Sequence, residues 1–245
     1  MNRYYREYDR HLVALDCIIF GFDEEGLKLL LLKRQFEPAK GEWSLMGGFL
    51  KESESLDEAA YRILNQLTGL SDIFMQQLYA FGEVDRDPGA RTISIAYYAL
   101  IKINENDRKL AEQHGAGWVS VNQLPALIFD HSRMVDTALK ALQRKITREP
   151  IGFELLPEKF TLPQLQLLYE SIYRVPLDKR NFRKQILDTG LLIKLNEKEK
   201  ESSKKGAFYY KFDHRKYELY ARRGFLFQLK VRKEQLIRET NGFHK

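Results

Sequence analysis

Residues 48–70 read GFLKESESLDEAAYRILNQLTGL, and the fold of the N-terminal half turns on them. Ser55-x-x-Glu58 is a capping-box signature, in which two side chains satisfy backbone N–H groups that a helix start leaves unpaired. The spacing predicts a helix from there to about Leu67, because Leu56, Ala59, Ala60, Ile63, Leu64 and Leu67 recur on one apolar face. Gly69 falls where a left-handed C-terminal cap is expected. Gly47 and Gly48 precede the helix and lack side chains, so a ligand or another backbone can come close there. Ile63 and Leu67 extend the packed face, with Gln66 between them.

Upstream, residues 12–22 (LVALDCIIFGF) read as a buried strand, and a turn at 23–26 leads to a second strand, 27–33. Residues 36–43 form a loop with Pro38 and Gly41, and 44–50 a short strand interrupted by the paired glycines. Downstream, 78–85, 91–101 and 116–120 read as strands, with a turn at Asp87-Pro88-Gly89. Residues 128–146 form a long amphipathic helix with Met134, Ala138, Leu139, Leu142 and Ile146 inward. The two prolines and weak periodicity of 147–160 place a domain boundary there, giving an N-terminal domain 1–150 and a C-terminal domain 151–245.

The C-terminal part follows a recognisable order. Thr161-x-x-Gln164 caps one helix to about Tyr173, with Phe160 and Leu165 placed for a hydrophobic staple and Pro163 in the tolerant first turn. After a turn holding Pro176, Asp178 caps a second helix to about Asp188, which Gly190 stops. Strands at 191–196 and 207–212 flank the charged loop 197–206 (EKEKESSKKG). Helix, turn, helix, hairpin is the winged helix-turn-helix order. In the second helix, Phe182 and Ile186 face inward, leaving Lys179, Arg180, Asn181, Arg183 and Lys184 on the first two turns. Arginine makes a bidentate bond to a guanine edge and asparagine to an adenine edge, and a recognition helix presents its N-terminal residues to the bases. Lys198, Lys200, Lys204 and Lys205 in the wing are placed to neutralise phosphates. Segments 214–223 and 225–238 read as helices, with Arg222 and Arg223 as further phosphate contacts; Tyr217, Tyr220, Phe225, Leu226 and Phe227 read as core or subunit contact.

Charge separates the two parts. Residues 1–150 carry 19 Lys/Arg against 22 Asp/Glu, and 151–245 carry 21 against 12. That asymmetry fits a basic nucleic-acid module beside a ligand-binding domain. No stretch approaches the ~18 apolar residues that a membrane helix needs, and the polar N-terminus MNRYYREYDRH lacks a signal peptide's apolar region. The lone Cys17 lies in an apolar run and reads as a buried strand thiol. Cytoplasm is the expected location.

The segment 48–70 resembles the Nudix box, with Gly48, Glu54, Arg62, Leu64, Gly69 and Leu70 on pattern. Positions 63, 66 and 67, where that box carries glutamates that hold Mg²⁺ against a diphosphate, are Ile63, Gln66 and Leu67. Asp85-Arg86-Asp87-Pro88, the run from Arg91 to Tyr97, and Phe129-Asp130-His131 extend the likeness. The chain resembles the Nudix-related transcriptional regulators over nearly its whole length, and within them the arabinose-responsive branch of gut bacteria. The resemblance implies an α+β protein: an N-terminal Nudix-like α/β/α sandwich and a C-terminal winged helix-turn-helix domain. It also implies a homodimeric repressor of sugar utilisation, with no catalytic residue, metal or cofactor, that leaves double-stranded operator DNA when L-arabinose binds. Another branch of the family senses ADP-ribose or related nucleotides, which is the alternative effector. The Nudix-like cleft is expected along the second strand, the paired glycines and the strand near 83–85, which makes Lys33, Arg34, Trp43, Glu83, Asp85 and Arg91 the candidate effector contacts. Glu54 and Arg62 are expected as a structural ion pair, and His131 as a turn or cap residue. Two other functions compete: a working hydrolase recruiting Mg²⁺ through Glu52, Glu54, Asp57 and Glu58, and a protein- or RNA-binding adaptor.

Overall fold

A computed structural model describes residues 7–199 and 206–224. Among the described residues, contacts define two compact units: those up to Gly21 with Lys28–Ala138, and Phe22–Leu27 with those after Ala138.

The first unit is built on an antiparallel sheet. Strands β1 (Leu12–Asp23), β2 (Gly26–Lys33), β3 (Trp43–Ser44), β5 (Gln76–Phe81) and β6 (Thr92–Lys102) run in the order β3-β2-β1-β6-β5, with β4 (Met46–Phe49) on β1 and β7 (Ala116–Ser120) on β2. The apolar run of β1 is buried without interruption from Leu15 to Phe22, as a strand covered on both faces requires. Alternation splits it. Leu15, Cys17 and Ile19 join the cluster formed with Ala59, Ala60, Ile63 and Leu64 of helix α1 (Leu56–Thr68). Asp16 belongs to the other face, opposite Gly47 in the β1·β4 register. Burying each large aliphatic side chain of that cluster contributes about 1.5–3 kcal/mol.

The expected capping box of α1 is present: Ser55 Oγ accepts from the Glu58 amide, and Glu58 accepts from the Ser55 amide at 2.8 Å. Gly69 ends the helix at φ 72°. Three expectations change. The strand at 44–50 is two short strands, β3 and β4, broken at Leu45. Strand β5 stops at Phe81 rather than 85, because Gly82 is followed by a tight loop in which Asp87 Oδ1 accepts the Gly89 amide. A helix not foreseen, α2 (Glu105–Gln113), is opened by a capping box between Asn104 and Asp107. The long helix α3 (His131–Arg148) buries the expected Met134, Ala138, Leu139, Leu142 and Ile146.

The second unit holds a three-stranded sheet, β8 (Phe160–Thr161), β10 (Ala207–Phe212) and β9 (Leu192–Glu199), in that order. Helices α4 (Leu162–Tyr173), α5 (Lys179–Asp188) and α6 (His214–Arg222) complete it. Within 147–160, residues Ile151–Leu155 form a 3-10 turn. Thr161 and Gln164 make the capping box of α4, and Asp178 accepts the Asn181 amide at 2.8 Å to start α5. Phe182 and Ile186 are buried as their spacing predicts, Phe182 against Tyr169 at 5.5 Å between ring centroids. Phe153 stacks on Phe212 at 4.2 Å. Lys200, Lys204, Lys205 and the segment 225–238, with Phe225, Leu226 and Phe227, lie outside the described residues. No helix among the described residues is long and apolar enough to cross a membrane.

Candidate effector pocket and nucleic-acid interface

A cavity of about 140 Å³ opens beside β1, where Asp16, Arg34, Phe36, Arg86, Phe129 and His131 converge with Gly47, Gly48 and Leu67. Its floor is a buried polar network. Ser94 Oγ donates to Asp16 Oδ2 at 2.5 Å. Arg86 donates to both oxygens of Asp130, at 2.7 and 3.0 Å, and its Nη2 stands 3.8 Å from Asp16. The Leu45 amide donates to His131 Nδ1 at 3.2 Å, which leaves Nε2 facing Asp16 Oδ1 at 3.6 Å. Burial pushes the His131 ring below the usual histidine range, with Asp16 and Asp130 opposing the shift. The ring is therefore neutral near pH 7, its proton on Nε2 toward Asp16. Gly47 makes room for this carboxylate: a Cβ there would stand 2.5 Å from Asp16 Oδ1.

Of the six residues expected to touch an effector, Arg34 lines the cavity and the other five do not. Strand phase explains two of them. Leu32 pairs with Ser44, and both line the cavity. Lys33 pairs with Trp43, and its Nζ lies 5.3 Å from that ring. The early end of β5 explains the rest. Glu83 is exposed and pairs with Arg133 at 3.1 Å, Asp85 is exposed on the loop, and Arg91 donates to the carbonyls of Gly82 and Glu83. Asp16, Arg86, Asp130 and His131, whose polar network forms the cavity floor, were not among those six candidates. The available signal was Asp16, a carboxylate in an otherwise apolar strand.

The α1 side of the cavity tests the metal site that the Nudix box implies. Ile63 is buried, and its Cγ1 would meet a Cβ on Gly48 at 3.0 Å, so it fills the space by packing. Leu67 is half-buried in the cavity wall, and Gln66 accepts from Arg62 at 3.2 Å. Glu54 accepts from Arg62 Nε at 2.7 Å and Nη2 at 2.5 Å, while Arg62 also holds the Phe49 carbonyl. The Arg62 hydrogen bonds bring the Glu54 carboxyl down to about 2. This donor set does not fit Mg²⁺: the face offers two aliphatic side chains and an amide, and the one carboxylate on pattern is occupied by a guanidinium. Among the described residues no group of three or more metal-ligating side chains occurs.

In the second unit, Lys179, Arg180, Asn181, Arg183 and Lys184 are all exposed on α5, opposite the buried Phe182 and Ile186. On the hairpin, Lys194 and Lys198 lie 3.7 and 4.5 Å from the Phe208 ring centroid. Lys159 pairs with Glu197, and Lys211 with Glu158. Arg222 and Arg223 are exposed at the end of α6.

Fold and sites define a two-part protein: a Nudix domain followed by a winged helix domain. Residues 10–138 match the NUDIX domain, and residues 152–212 match the NrtR DNA-binding winged helix domain. The ADPR responsive transcriptional repressor NtrR of Acinetobacter baylyi is 30% identical over 216 residues, covering 86% of each chain. The chain belongs to the NrtR family. Shewanella oneidensis NrtR, crystallised with a 27mer DNA, is 28% identical over 82% of this chain and 93% of that one, with a TM-score of 0.63. Its NUDIX domain crystallised with ADP ribose matches 58% of this chain and 94% of that one, with a TM-score of 0.50. An ADP-ribose pyrophosphatase of Methanocaldococcus jannaschii is 36% identical over 135 residues, 54% of this chain and 75% of its own length.

Proposed function

We propose that this chain is a DNA-binding transcriptional repressor whose Nudix domain binds an ADP-ribose-type nucleotide and does not hydrolyse it. In this reading residues 1–150 receive the effector and 151–245 bind operator DNA as part of a homodimer. The observation that carries it is the joining of a Nudix helix without metal-holding carboxylates (Ile63, Gln66, Leu67) to a helix presenting Lys179, Arg180, Asn181, Arg183 and Lys184 to solvent. Two relatives support the effector class, since ADP-ribose is named for the Acinetobacter repressor and was crystallised with the Shewanella domain. They favour a nucleotide over the pentose that the resemblance first implied.

A second reading keeps L-arabinose or another small sugar, because of the cavity itself. At about 140 Å³ it is smaller than the roughly 300–1,000 Å³ of most ligand pockets, and two carboxylates, Asp16 and Asp87, line it. A pentose fits that volume better than a dinucleotide-sized ligand, although Arg34 and Arg86 line the cavity beside the two carboxylates. Fluorescence anisotropy on promoter duplexes against scrambled DNA, with ADP-ribose or L-arabinose added, separates the two. Specific binding lost with ADP-ribose supports the first reading, and loss with L-arabinose alone supports the second. Mg²⁺-dependent turnover of ADP-ribose, read as phosphate release under phosphatase coupling, would overturn the non-hydrolytic assignment.

A further inference from the structure

Phe129 holds a backbone that a bulky residue rarely adopts. Its φ is 49°, in the left-handed region that penalises a side chain with a Cβ; such strain clusters at ligand clamps and switches. The chain is pinned on both sides of it. Before it, Leu127 bridges Trp43, and the Ile128 amide donates to the Trp43 carbonyl at 3.0 Å. After it, Asp130 accepts both arms of Arg86, and the His131 ring accepts the Leu45 amide. Phe129 is a bent joint between two fixed points, the second of which leads directly into α3.

Arg34 leans on this joint. Its guanidinium lies 4.0 Å from the Phe36 ring centroid and 5.4 Å from that of Phe129, and its Nε donates to the Phe36 carbonyl at 3.1 Å. All three residues line the cavity. Arg86, the other cationic lining residue, has its charge matched by Asp130. Arg34 is held by ring faces and a carbonyl, and a guanidinium stacked this way keeps edge donors for a ligand.

We propose that Arg34 reads a phosphate group of the effector and that this draws the guanidinium off Phe129, unloading the strained joint and freeing the first turn of α3. The proposal rests on the reading of an ADP-ribose-type effector and adds the group that reads its charge and the element that responds. A phosphate takes a guanidinium through two parallel N–H···O bonds, which an aromatic face does not match. Helix α3 runs unbroken from His131 to Arg148, and its residues from Leu139 on belong to the second unit.

The test uses the full chain, an operator duplex and ADP-ribose, with calorimetry for effector binding and anisotropy for DNA release. Far-UV circular dichroism and thermal unfolding of each variant are the folding control. Arg34→Gln is expected to weaken ADP-ribose binding by roughly tenfold or more, the loss of a charged hydrogen-bonding partner. Phe129→Gly and Phe129→Asn both suit a left-handed backbone and remove the ring. Both start with the joint unloaded, and are expected to bind ADP-ribose within about threefold of wild type yet to hold the operator on the order of tenfold more weakly without it and to show little further release when it is added, whereas Phe129→Tyr responds as wild type. Wild-type release in the glycine and asparagine variants would overturn the joint, and wild-type affinity in Arg34→Gln would overturn the reading group. If ADP-ribose fails to release the wild-type protein itself, the functional reading falls first and this proposal with it.

Discussion

Replacing Arg86 with methionine removes its guanidinium from the buried floor of the cavity and leaves two carboxylates behind, Asp16 and Asp130. The Arg86 side chain is 2% exposed, and those of Asp16 and Asp130 are 6% and 14% exposed. Asp130 would lose both hydrogen bonds that Arg86 donates, and Asp16 would keep the one from Ser94. Breaking a buried ion pair from one side costs about 3–5 kcal/mol, because the remaining charge is stranded away from water. With a urea slope of about 2 kcal/mol per molar, the midpoint for the Nudix unit should fall by roughly 1.5–2.5 M. Arg86→Met/Asp130→Leu should recover part of that loss, since one stranded carboxylate is gone, while Asp16 at 3.8 Å still lacks its counter-charge. Urea titration followed by the fluorescence of Trp43 and Trp118, both in the first unit, measures each variant. A single-variant loss below about 1 kcal/mol, or a double variant no more stable than the single, would show that the carboxylates escape to water or protonate cheaply, and the argument from burial would fail.

Other outcomes follow from single contacts. Glu54 is held near 2 in the folded protein, against 4.5 ordinarily, so its contribution is present above about pH 4.5 and is lost as pH falls toward 2; acid titration of stability should show this loss in the wild type and not in Glu54→Gln. His131 is depressed by burial, so its contribution is complete above about 6.5 and declines as pH falls below it; the His131→Gln variant should flatten that part of the profile. Gly47→Ala puts a methyl 2.5 Å from Asp16 Oδ1 and should lower stability by about 1–3 kcal/mol in thermal unfolding; an unchanged Tm would mean Asp16 swings aside freely. On DNA, Arg180→Ala should cost about 1–3 kcal/mol on the operator and much less on scrambled duplex if it reads a base, while equal losses would make it a phosphate contact.

Local order was legible in the residues because it depends on neighbours in sequence. The capping boxes at Ser55 and Thr161, the N-cap at Asp178, the stop at Gly69, and the inward Phe182 and Ile186 are set by spacings of three and four residues, and the structure keeps them. The apolar face carrying Ile63 and Leu67 was equally visible, since a helix face follows from its period, while the resemblance to the Nudix box is what marked those positions as ones where glutamates hold a metal. Composition alone separated the basic C-terminal part from the acidic N-terminal part. The cavity was not legible in the same way. Which face of β2 turns inward depends on its pairing with β3, and a shift of one residue separates Arg34, in the cavity, from Lys33, stacked on Trp43. Where β5 ends depends on the loop after Gly82, which carried Glu83 and Asp85 away. Asp16, Arg86 and His131 lie far apart in sequence and meet only because β1, the 82–90 loop and the start of α3 converge. Buried charges must find partners across such distances, and no local pattern records which partner each one finds.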